Sequence, residues 1–269
     1  IGLLPHHELI CEKKTLFFLY IIINKGSMKK ALFYGICTAI LCLCHACQDP
    51  SRLEICNLRC EMLEAPLAID NTSPHFSWEM RSKDNAMGIS AYQILVATEP
   101  GRLNEKEADL WNSGKVEKDA SLGIVYEGKK LAPRSLAYWK VRVWNQEGVA
   151  SDWSANSLFG IGILEEKDWD VSARFIGLKL NSGEEQHTPL LRKKFHYDPD
   201  KERMLLHVNS LGYHEAYING RRVSDAVLAP AVSDFGKRSL IMTYDVTSLL
   251  KKGTNELVLW IGKGWYQEG

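Results

Sequence analysis

Residues 137–144 read Ala137-Tyr138-Trp139-Lys140-Val141-Arg142-Val143-Trp144, the clearest strand pattern in the sequence. Apolar side chains recur there at every second position, which is typical of a β-strand with one buried face. Trp139, Val141 and Val143 fall on that face and the intervening residues fall on the other. We therefore expect Trp139, like Trp78 on an earlier strand, to be a core residue and not a platform for a ligand.

The same period-two pattern recurs earlier in the sequence, at 75–80 and 90–97, and the segments 190–195, 204–208 and 255–261 are also interpreted as strands. Turn sequences separate the strands, and Asn219-Gly220 is the strongest short hairpin signal among them. No long segment has the 3.6-residue period of a helix. Short strands with frequent turns predict an all-β protein built from antiparallel sandwiches.

A boundary is predicted at 160–168, where two glycines precede a charged stretch. Such a composition suits a short linker, so we expect one domain at 55–162 and a second at 167–269. The acidic pairs Glu165/Glu166 and Glu184/Glu185 are adjacent in sequence. Because consecutive residues of an extended chain point to opposite faces, neither pair is expected to converge on one bond.

The composition excludes several classes of function. With 33 Lys+Arg against 33 Asp+Glu the chain has no net charge, which argues against nucleic acid and against an anionic membrane as partners. No nucleophile elbow, zinc-protease motif or Walker-type loop is present. Gly262-Lys263-Gly264 lacks the spacing of a dinucleotide fingerprint, and no helical pattern follows it.

All seven cysteines lie within the first 60 residues, so residues 61–269 have neither a disulfide framework nor a cysteine metal site. We assign the cysteine cluster to a targeting segment. Residues 28–47 begin Met28-Lys29-Lys30 and continue without a charge to Cys47, as a secretory signal peptide does. The apolar run is shorter than a membrane span, and a buried core helix is the alternative.

The end of this segment, Leu43-Cys44-His45-Ala46-Cys47, looks like a degenerate bacterial lipobox in which Cys47 is the candidate for lipidation. Cleavage by ordinary signal peptidase is the other possibility. Residues 1–27 are expected to lie upstream of the true start at Met28, with a two-helix membrane anchor as the alternative. The predicted location is export, to the periplasm or as an outer-membrane lipoprotein of a bacterium, with membrane contact only through that anchor or signal segment.

Two stretches resemble known domains. Pro133, Tyr138 and the strand that follows resemble the second half of a fibronectin type III domain, with Tyr138 as the candidate corner tyrosine. A longer set of motifs is similar to bacterial α-L-rhamnosidases of glycoside hydrolase family 78: Pro66-Leu67-Ala68-Ile69-Asp70, Pro74-His75-Phe76-Ser77-Trp78, Trp111-Asn112-Ser113-Gly114, Gly212-Tyr213-His214-Glu215-Ala216-Tyr217-Ile218-Asn219-Gly220, Leu228-Ala229-Pro230, Ser233-Asp234-Phe235-Gly236, Thr243-Tyr244-Asp245-Val246 and Gly262-Lys263-Gly264-Trp265-Tyr266.

The resemblance covers residues 57–269 in one order. It implies a fibronectin type III-like sandwich followed by a truncated jelly-roll-like β-sandwich. It also implies that the whole protein hydrolyses terminal α-L-rhamnosides of plant-type glycans or glycosides by inversion, in a later (α/α)6 barrel. The two catalytic carboxyl groups are then expected downstream of Gly269, so no residue of this chain is offered as catalytic. A free-standing carbohydrate-binding or adhesive module is the alternative.

Some members of that family carry a calcium-dependent rhamnose site in the equivalent sandwich, which makes calcium a possible but not a required cofactor here. A sugar favours an aromatic face beside polar groups, and calcium favours several oxygen ligands. The candidates for such contacts are Tyr213, Glu215, Asn219, Asp234, Trp265 and Tyr266. The competing interpretation of each is structural: a turn residue for Asn219, a loop cap for Asp234, and interdomain packing for Trp265 and Tyr266.

Overall fold

The computed structural model describes residues 53–82, 88–177, 188–199 and 203–264. Within these ranges the chain forms strands and short 3₁₀ turns, without an α-helix. The strands are β1 Glu54–Cys60, β2 His75–Arg81, β3 Ile89–Ala97, β4 Trp111–Asn112, β5 Ile124–Val125, β6 Leu136–Asn145, β7 Ser157–Gly160, β8 Leu190–Tyr197, β9 Leu205–Asn209, β10 His214–Ile218, β11 Arg221–Arg222, β12 Ile241–Asp245 and β13 Gly253–Ile261. The prediction of an all-β chain is confirmed.

The first seven strands form two antiparallel sheets, ordered β1-β2-β5 and β4-β3-β6-β7. Strands β3 and β6 form the longest pairing, from Ile89↔Asn145 to Ala97↔Tyr138. Consecutive strands repeatedly cross from one sheet to the other, so that two sheets enclose one core. This is the fibronectin type III-like sandwich that the sequence predicted.

The core of this sandwich is aromatic. Phe76 on β2 and Trp139 on β6 are both fully buried, and their ring centroids lie 4.4 Å apart. Phe159 meets Phe76 edge-on at 5.4 Å, and Trp78 meets Tyr92 edge-on at 5.6 Å. The prediction that Trp78 and Trp139 are core residues is confirmed, since only 3% and 0% of their surfaces are exposed.

Tyr138 does not form the hydrogen bond expected of a corner tyrosine. The Tyr138 hydroxyl has no hydrogen-bond partner among the described residues, and its ring packs with Trp153 against the cluster of Leu95, Ala97 and Leu103. Tyr126, immediately after β5, donates its hydroxyl proton to the Lys129 carbonyl at 2.7 Å. Because Tyr138 alternates with the core-facing residues of β6, its side chain points away from the main core.

The assignment of all cysteines to a targeting segment is wrong for two of them. Cys56 and Cys60 belong to β1, and Cys60 is buried in the core with 1% exposure. Burial, assisted by the neighbouring Glu61 carboxylate, raises the pKa of Cys60 to about 12. Strand β1 begins at Glu54, only seven residues after Cys47, so both cysteines belong to the first sandwich. Cys60 behaves there as a small apolar residue.

The remaining strands form a four-stranded sheet, β11-β10-β13-β8, and a two-stranded sheet, β12-β9. Strands β8 and β13 pair from Leu190↔Trp260 to Tyr197↔Gly253. A smaller core of Val208, Ile218, Tyr244 and Val246 lies between the two sheets. This second group of antiparallel strands is the β-sandwich predicted after the linker.

The predicted hairpin is present between β10 and β11. Ile218 pairs with Arg221, which leaves Asn219 and Gly220 as the two turn residues. Their φ angles are +50° and +77°, as a two-residue turn of type I′ requires.

The predicted boundary begins with residues that are bonded to the first sandwich. Ile161 forms a parallel bridge with Ile69, and the Gly162 amide donates to the Ile69 carbonyl at 2.8 Å. Farther along, Glu165 and Asp168 form a reciprocal capping box around a 3₁₀ turn at Glu166–Asp168. Glu165 therefore has a structural role, and the placement of the boundary itself stays a prediction.

We expect Phe76→Ala to reduce the free energy of unfolding by about 3–5 kcal/mol, because it removes a fully buried ring that contacts several other aromatic rings. The measurement is urea unfolding of the full chain followed by tryptophan fluorescence. The matched control is Leu122→Ala, since Leu122 is 68% exposed and its change should stay within about 0.5 kcal/mol. Equal effects of the two substitutions would contradict this account of the core.

Candidate functional site

Four of the six predicted ligand-contacting residues are described, namely Tyr213, Glu215, Asn219 and Asp234. Trp265 and Tyr266 lie outside the described residues, as does Cys47, the predicted lipidation site. Glu184 and Glu185 also lie outside them.

Asn219 has all of its side-chain hydrogen bonds within the second sandwich. Its amide nitrogen donates to the Leu249 carbonyl at 3.0 Å and to Asn255 Oδ1 at 2.8 Å. Its Oδ1 accepts from the Glu256 backbone amide at 3.1 Å. The side chain thus ties the hairpin turn to the start of β13, which is a structural role.

Glu215 lies on the face of β10 opposite to the core. Its carboxylate accepts from Arg222 Nη2 at 2.7 Å and from the Tyr217 hydroxyl at 2.6 Å. That hydrogen bond is the largest cause of a raised pKa for Tyr217. The three side chains form one polar cluster on the β10–β11 hairpin and occupy both oxygens of the carboxylate.

Asp234 caps a loop between β11 and β12. Its Oδ1 accepts from the Gly236 amide at 3.1 Å, and its Oδ2 lies 2.9 Å from Lys237 Nζ. Its backbone carbonyl accepts from the amides of Lys237 and Arg238. These contacts match the structural alternative given above for this residue.

Tyr213 is the one described candidate that lines a depression. The depression is shallow, holds about one water molecule and is lined by Leu211, Gly212, Tyr213, Pro230, Ala231, Val232, Phe235 and Gly264. Aromatic and apolar groups surround it without a carboxylate. The arrangement offers a flat apolar contact and not an enclosed sugar site.

The structure does not bring the described carboxylate candidates together as metal ligands. The carboxylate oxygens of Glu215 and Asp234 already have donors of their own. In the described part of the chain, no three His, Cys, Asp or Glu side chains are close enough to hold one metal ion. In the same part, no helix is long and apolar enough to cross a bilayer.

A buried polar cluster that the sequence did not predict lies between the two sheets of the second sandwich. His214 Nδ1 is 2.7 Å from Ser210 Oγ, and His214 Nε2 is 2.9 Å from the Tyr244 hydroxyl. Ser210 Oγ also donates to the Gly212 carbonyl at 2.8 Å. Ser210 and Tyr244 are 34 residues apart in sequence (244 − 210), so no local spacing could have identified the set.

This cluster is not arranged for nucleophilic catalysis. Ser210 is 7% exposed and its hydroxyl also contacts the Gly212 carbonyl at 2.8 Å. That carbonyl competes with the histidine for the proton that a serine nucleophile must give up. Burial lowers the pKa of His214 and raises the pKa of Tyr244. The cluster therefore consists of neutral, mutually bonded groups.

A second feature missed from the sequence is a ladder of cations and indole rings on the outer face of the first sandwich. The Arg142 guanidinium lies 4.9 Å from the Trp144 ring centroid and 4.7 Å from that of Trp153. Lys140 lies 4.9 Å from Trp153, and Lys115 lies 5.2 Å from Trp144. Since cations of the chain itself cover these indole rings, the ladder stabilises the sheet and leaves the rings poor platforms for a sugar.

The described carboxyl groups with displaced pKa values are all displaced downward. Burial acts to raise the pKa of Glu61, but hydrogen bonds from His75 and Asn71 outweigh it and lower the pKa. Burial is likewise outweighed at Asp109, where the Thr98 amide and hydroxyl lower the pKa. At Asp170 the Ser172 hydroxyl and amide lower it. A glycosidase acid needs the opposite shift.

Comparison with protein families gives two matches along the chain. Residues 55–165 match the model described as "Rha78A-like, N-terminal immunoglobulin domain". Residues 200–269 match the model described as "Alpha-L-rhamnosidase N-terminal domain". The two models cover the two sandwiches in the order in which they occur here.

Similar proteins are enzymes that are much longer than this chain. An α-L-rhamnosidase of Formosa agariphila is 32% identical over 261 residues, which are 88% of this chain and 27% of that protein. One from an Alteromonas species is 34% identical over 75% of this chain and 22% of its own length. This chain thus spans about a quarter of the length of these relatives.

Solved structures give the same result. The α-L-rhamnosidase from Dictyoglumus thermophilum matches with a TM-score of 0.70 and 30% identity, over 80% of this chain and 26% of that one. The enzyme from Aspergillus terreus matches with a TM-score of 0.66 and 28% identity, over 80% of this chain and 24% of that one.

We expect Asn219→Ala to reduce the free energy of unfolding by about 3 kcal/mol, since alanine is strained at positive φ and the substitution leaves buried partners unsatisfied. The measurement is urea unfolding followed by circular dichroism. Asn57→Ala is the matched control, because Asn57 has a φ of +49° but only an exposed side-chain bond to Glu79.

The control should lose about 1 kcal/mol, the cost of the backbone strain alone. Equal losses at Asn57 and Asn219 would show that the hydrogen bonds of Asn219 contribute nothing, and would leave that residue free for a ligand.

Proposed function

We propose that this chain is the N-terminal part of a member of the α-L-rhamnosidase family, an enzyme that hydrolyses terminal α-L-rhamnosides. The observation that carries this proposal is the ordered match of both sandwiches to N-terminal domains of that family. The proposed substrates are rhamnose-containing glycans or glycosides.

Catalysis is proposed to reside outside the quarter of the enzyme that this chain matches. Inverting hydrolysis of a glycoside needs an acid and a base about 6.5–9.5 Å apart. In the described residues the displaced carboxyl pKa values are lowered, and Glu215 and Asp234 are occupied by Arg222 and Lys237. The two sandwiches then serve as a scaffold beside the catalytic domain.

The alternative of a free-standing carbohydrate-binding module receives less support. Of the four described candidates for sugar contacts, three are engaged in hydrogen bonds and ion pairs of the sandwich, and only Tyr213 lines a depression. The relatives are long enzymes that share this front end. Calcium binding to the second sandwich stays a prediction, which isothermal titration with CaCl₂ would test.

Export is part of the proposal and rests on the sequence between Met28 and Cys47. A basic start followed by an uncharged run is the composition of a secretory signal. We propose that the mature protein is periplasmic, or is held at the outer membrane by a lipid on Cys47.

We expect the 269-residue chain to show no hydrolysis of p-nitrophenyl α-L-rhamnoside, and a gene product extended to the length of the relatives to release p-nitrophenol. The reason is that the catalytic carboxyl groups are proposed to lie beyond the matched quarter. Turnover by the chain alone would place an active site within these sandwiches. An extended protein that leaves p-nitrophenyl α-L-rhamnoside intact but hydrolyses another p-nitrophenyl glycoside would refute the proposed sugar specificity.

The export proposal predicts that Met28 to Ala46 are absent from the mature protein. Mass spectrometry of the N-terminal peptide from a bacterial host would identify the new terminus, and labelled palmitate would reveal a lipid at Cys47. Cys47→Ser should abolish labelling, whereas Cys44→Ser should leave it unchanged. An intact Met28 terminus in the cytoplasm would exclude export.

A further inference from the structure

His214 joins the two sheets of the second sandwich through side-chain hydrogen bonds. It lies on β10 of the four-stranded sheet, whereas Tyr244 lies on β12 of the two-stranded sheet. Ser210 follows β9 of that same smaller sheet. The imidazole is 4% exposed and forms one bond from each of its nitrogens, so it bridges the sheets within the core.

One placement of the protons gives every donor in this hydrogen-bonded set an acceptor. With the Ser210 hydroxyl donating to the Gly212 carbonyl, Ser210 Oγ accepts from His214 Nδ1 at 2.7 Å. His214 Nε2 then accepts from the Tyr244 hydroxyl. This arrangement gives an acceptor to each side-chain donor of Ser210, His214 and Tyr244. It requires a neutral imidazole that is protonated on Nδ1.

Among the described residues, no charged side chain is recorded in contact with His214 that could compensate a second proton. Burial is the sole cause of its lowered pKa, and Tyr244 is the one titratable group in contact with it in the described residues. From β10, Glu215 faces the opposite side and pairs with Arg222. From β12, Asp245 is exposed and pairs with Arg203.

Two other described segments approach this region through backbone carbonyls. The Ala229 carbonyl accepts from the His214 amide at 2.8 Å. Lys263, at the end of β13, approaches the Ser210–Tyr213 loop through its backbone carbonyl. A protonated Nε2 would also turn the Tyr244 hydroxyl into an acceptor, leaving the proton of that hydroxyl without a described partner.

The hydrogen bonds that join Ser210, His214 and Tyr244, here called the His214 hydrogen-bond chain, also hold the loop that carries Tyr213. A Cβ atom at Gly212 would overlap the carbonyl oxygens of Gly262 and Lys263, so the loop crosses the end of β13 at backbone contact. The Gly262 amide donates to the Tyr213 carbonyl at 2.7 Å. Ser210 donates to the carbonyl of the same Gly212 that packs against Gly262 and Lys263. The His214 hydrogen-bond chain and the packing of this loop on the end of β13 therefore depend on one another.

We propose that His214 is a pH-sensitive latch that holds the smaller sheet and the Ser210–Tyr213 loop against the four-stranded sheet when neutral and releases them when protonated. The loop lines the depression of the second sandwich, so its release changes the shape of that surface. This role is independent of the proposed rhamnosidase activity and does not require it.

The first test measures the tautomer directly. Long-range ¹H–¹⁵N correlation spectra of the full chain, labelled with ¹⁵N-histidine, should show an imidazole as the Nδ1–H tautomer at pH 7. The signals of that imidazole should be missing from the spectrum of His214→Gln. Finding His214 as the Nε2–H tautomer, or protonated at that pH, would overturn the proposal.

The second test measures opening by hydrogen–deuterium exchange, corrected for intrinsic rates, at pH 7.5 and 5.5. An opened state takes up the proton with an ordinary histidine pKa near 6.5, so opening should increase about tenfold at one unit below that value. The sign follows from proton uptake: the opened state binds more protons, so lowering the pH favours it. The increase should appear in peptides covering 210–214 and 241–246, and not in strand β3.

Variants separate the latch from general acid sensitivity. His214→Gln keeps a donor and an acceptor but does not titrate, so exchange at 210–214 should no longer depend on pH in this range. His207→Gln is the matched control, because His207 is half-buried on β9 and bonded to Thr243, and burial together with Arg134 lowers its pKa. That control should retain the tenfold increase at 210–214.

An unchanged response in His214→Gln, or no response in the wild-type chain, would refute the latch. Loss of the response in His207→Gln, with retention in His214→Gln, would assign the pH dependence to His207 on β9. That result would equally refute the latch.

Discussion

The packing of Phe76 on Trp139 is the contact on which the first sandwich depends. The two rings come from opposite sheets and lie 4.4 Å apart between their centroids. Around them the other buried aromatic rings have little freedom, since interior packing tolerates few voids. The alternation along β6 follows from this contact: every second residue is committed to the core, and the residues between them form the cation–indole ladder outside.

The strands were predictable because alternation and turn chemistry are local properties. The segment 137–144 lies within β6, and Asn219-Gly220 forms the two-residue turn that its sequence predicts. Longer-range contacts were not predictable in this way. The hydrogen bonds between Ser210, His214 and Tyr244 depend on the pairing of two sheets. The position of Tyr138 outside the main core depends on which face of β6 meets that core.

The sequence defines the fold more closely than it defines a candidate site, for a physical reason. Glu215, Asn219 and Asp234 have the side chains that bind sugars and ions, but the same oxygens and amides also satisfy turns and hairpins. Sequence alone does not distinguish these uses, whereas the distances do: Arg222, Asn255 and Lys237 already occupy these groups. In the described part of the second sandwich, the surface still available to a ligand is the apolar depression beside Tyr213. The buried hydrogen bonds of His214 and Ser210 hold the loop that lines it.

The turn at Asn219-Gly220 also bears on the chemical ageing of the protein. An asparagine followed by glycine is the dipeptide in which the next backbone nitrogen most readily attacks the side-chain carbonyl carbon, expelling ammonia and closing a succinimide ring. Water then opens the ring to give aspartate or isoaspartate. In the folded chain this side chain is held by Leu249, Asn255 and Glu256, away from the rotation that the attack needs. In the unfolded chain nothing restrains it. Isoaspartate at position 219 would therefore accumulate in proportion to the time that the second sandwich has spent open, a covalent record of past unfolding.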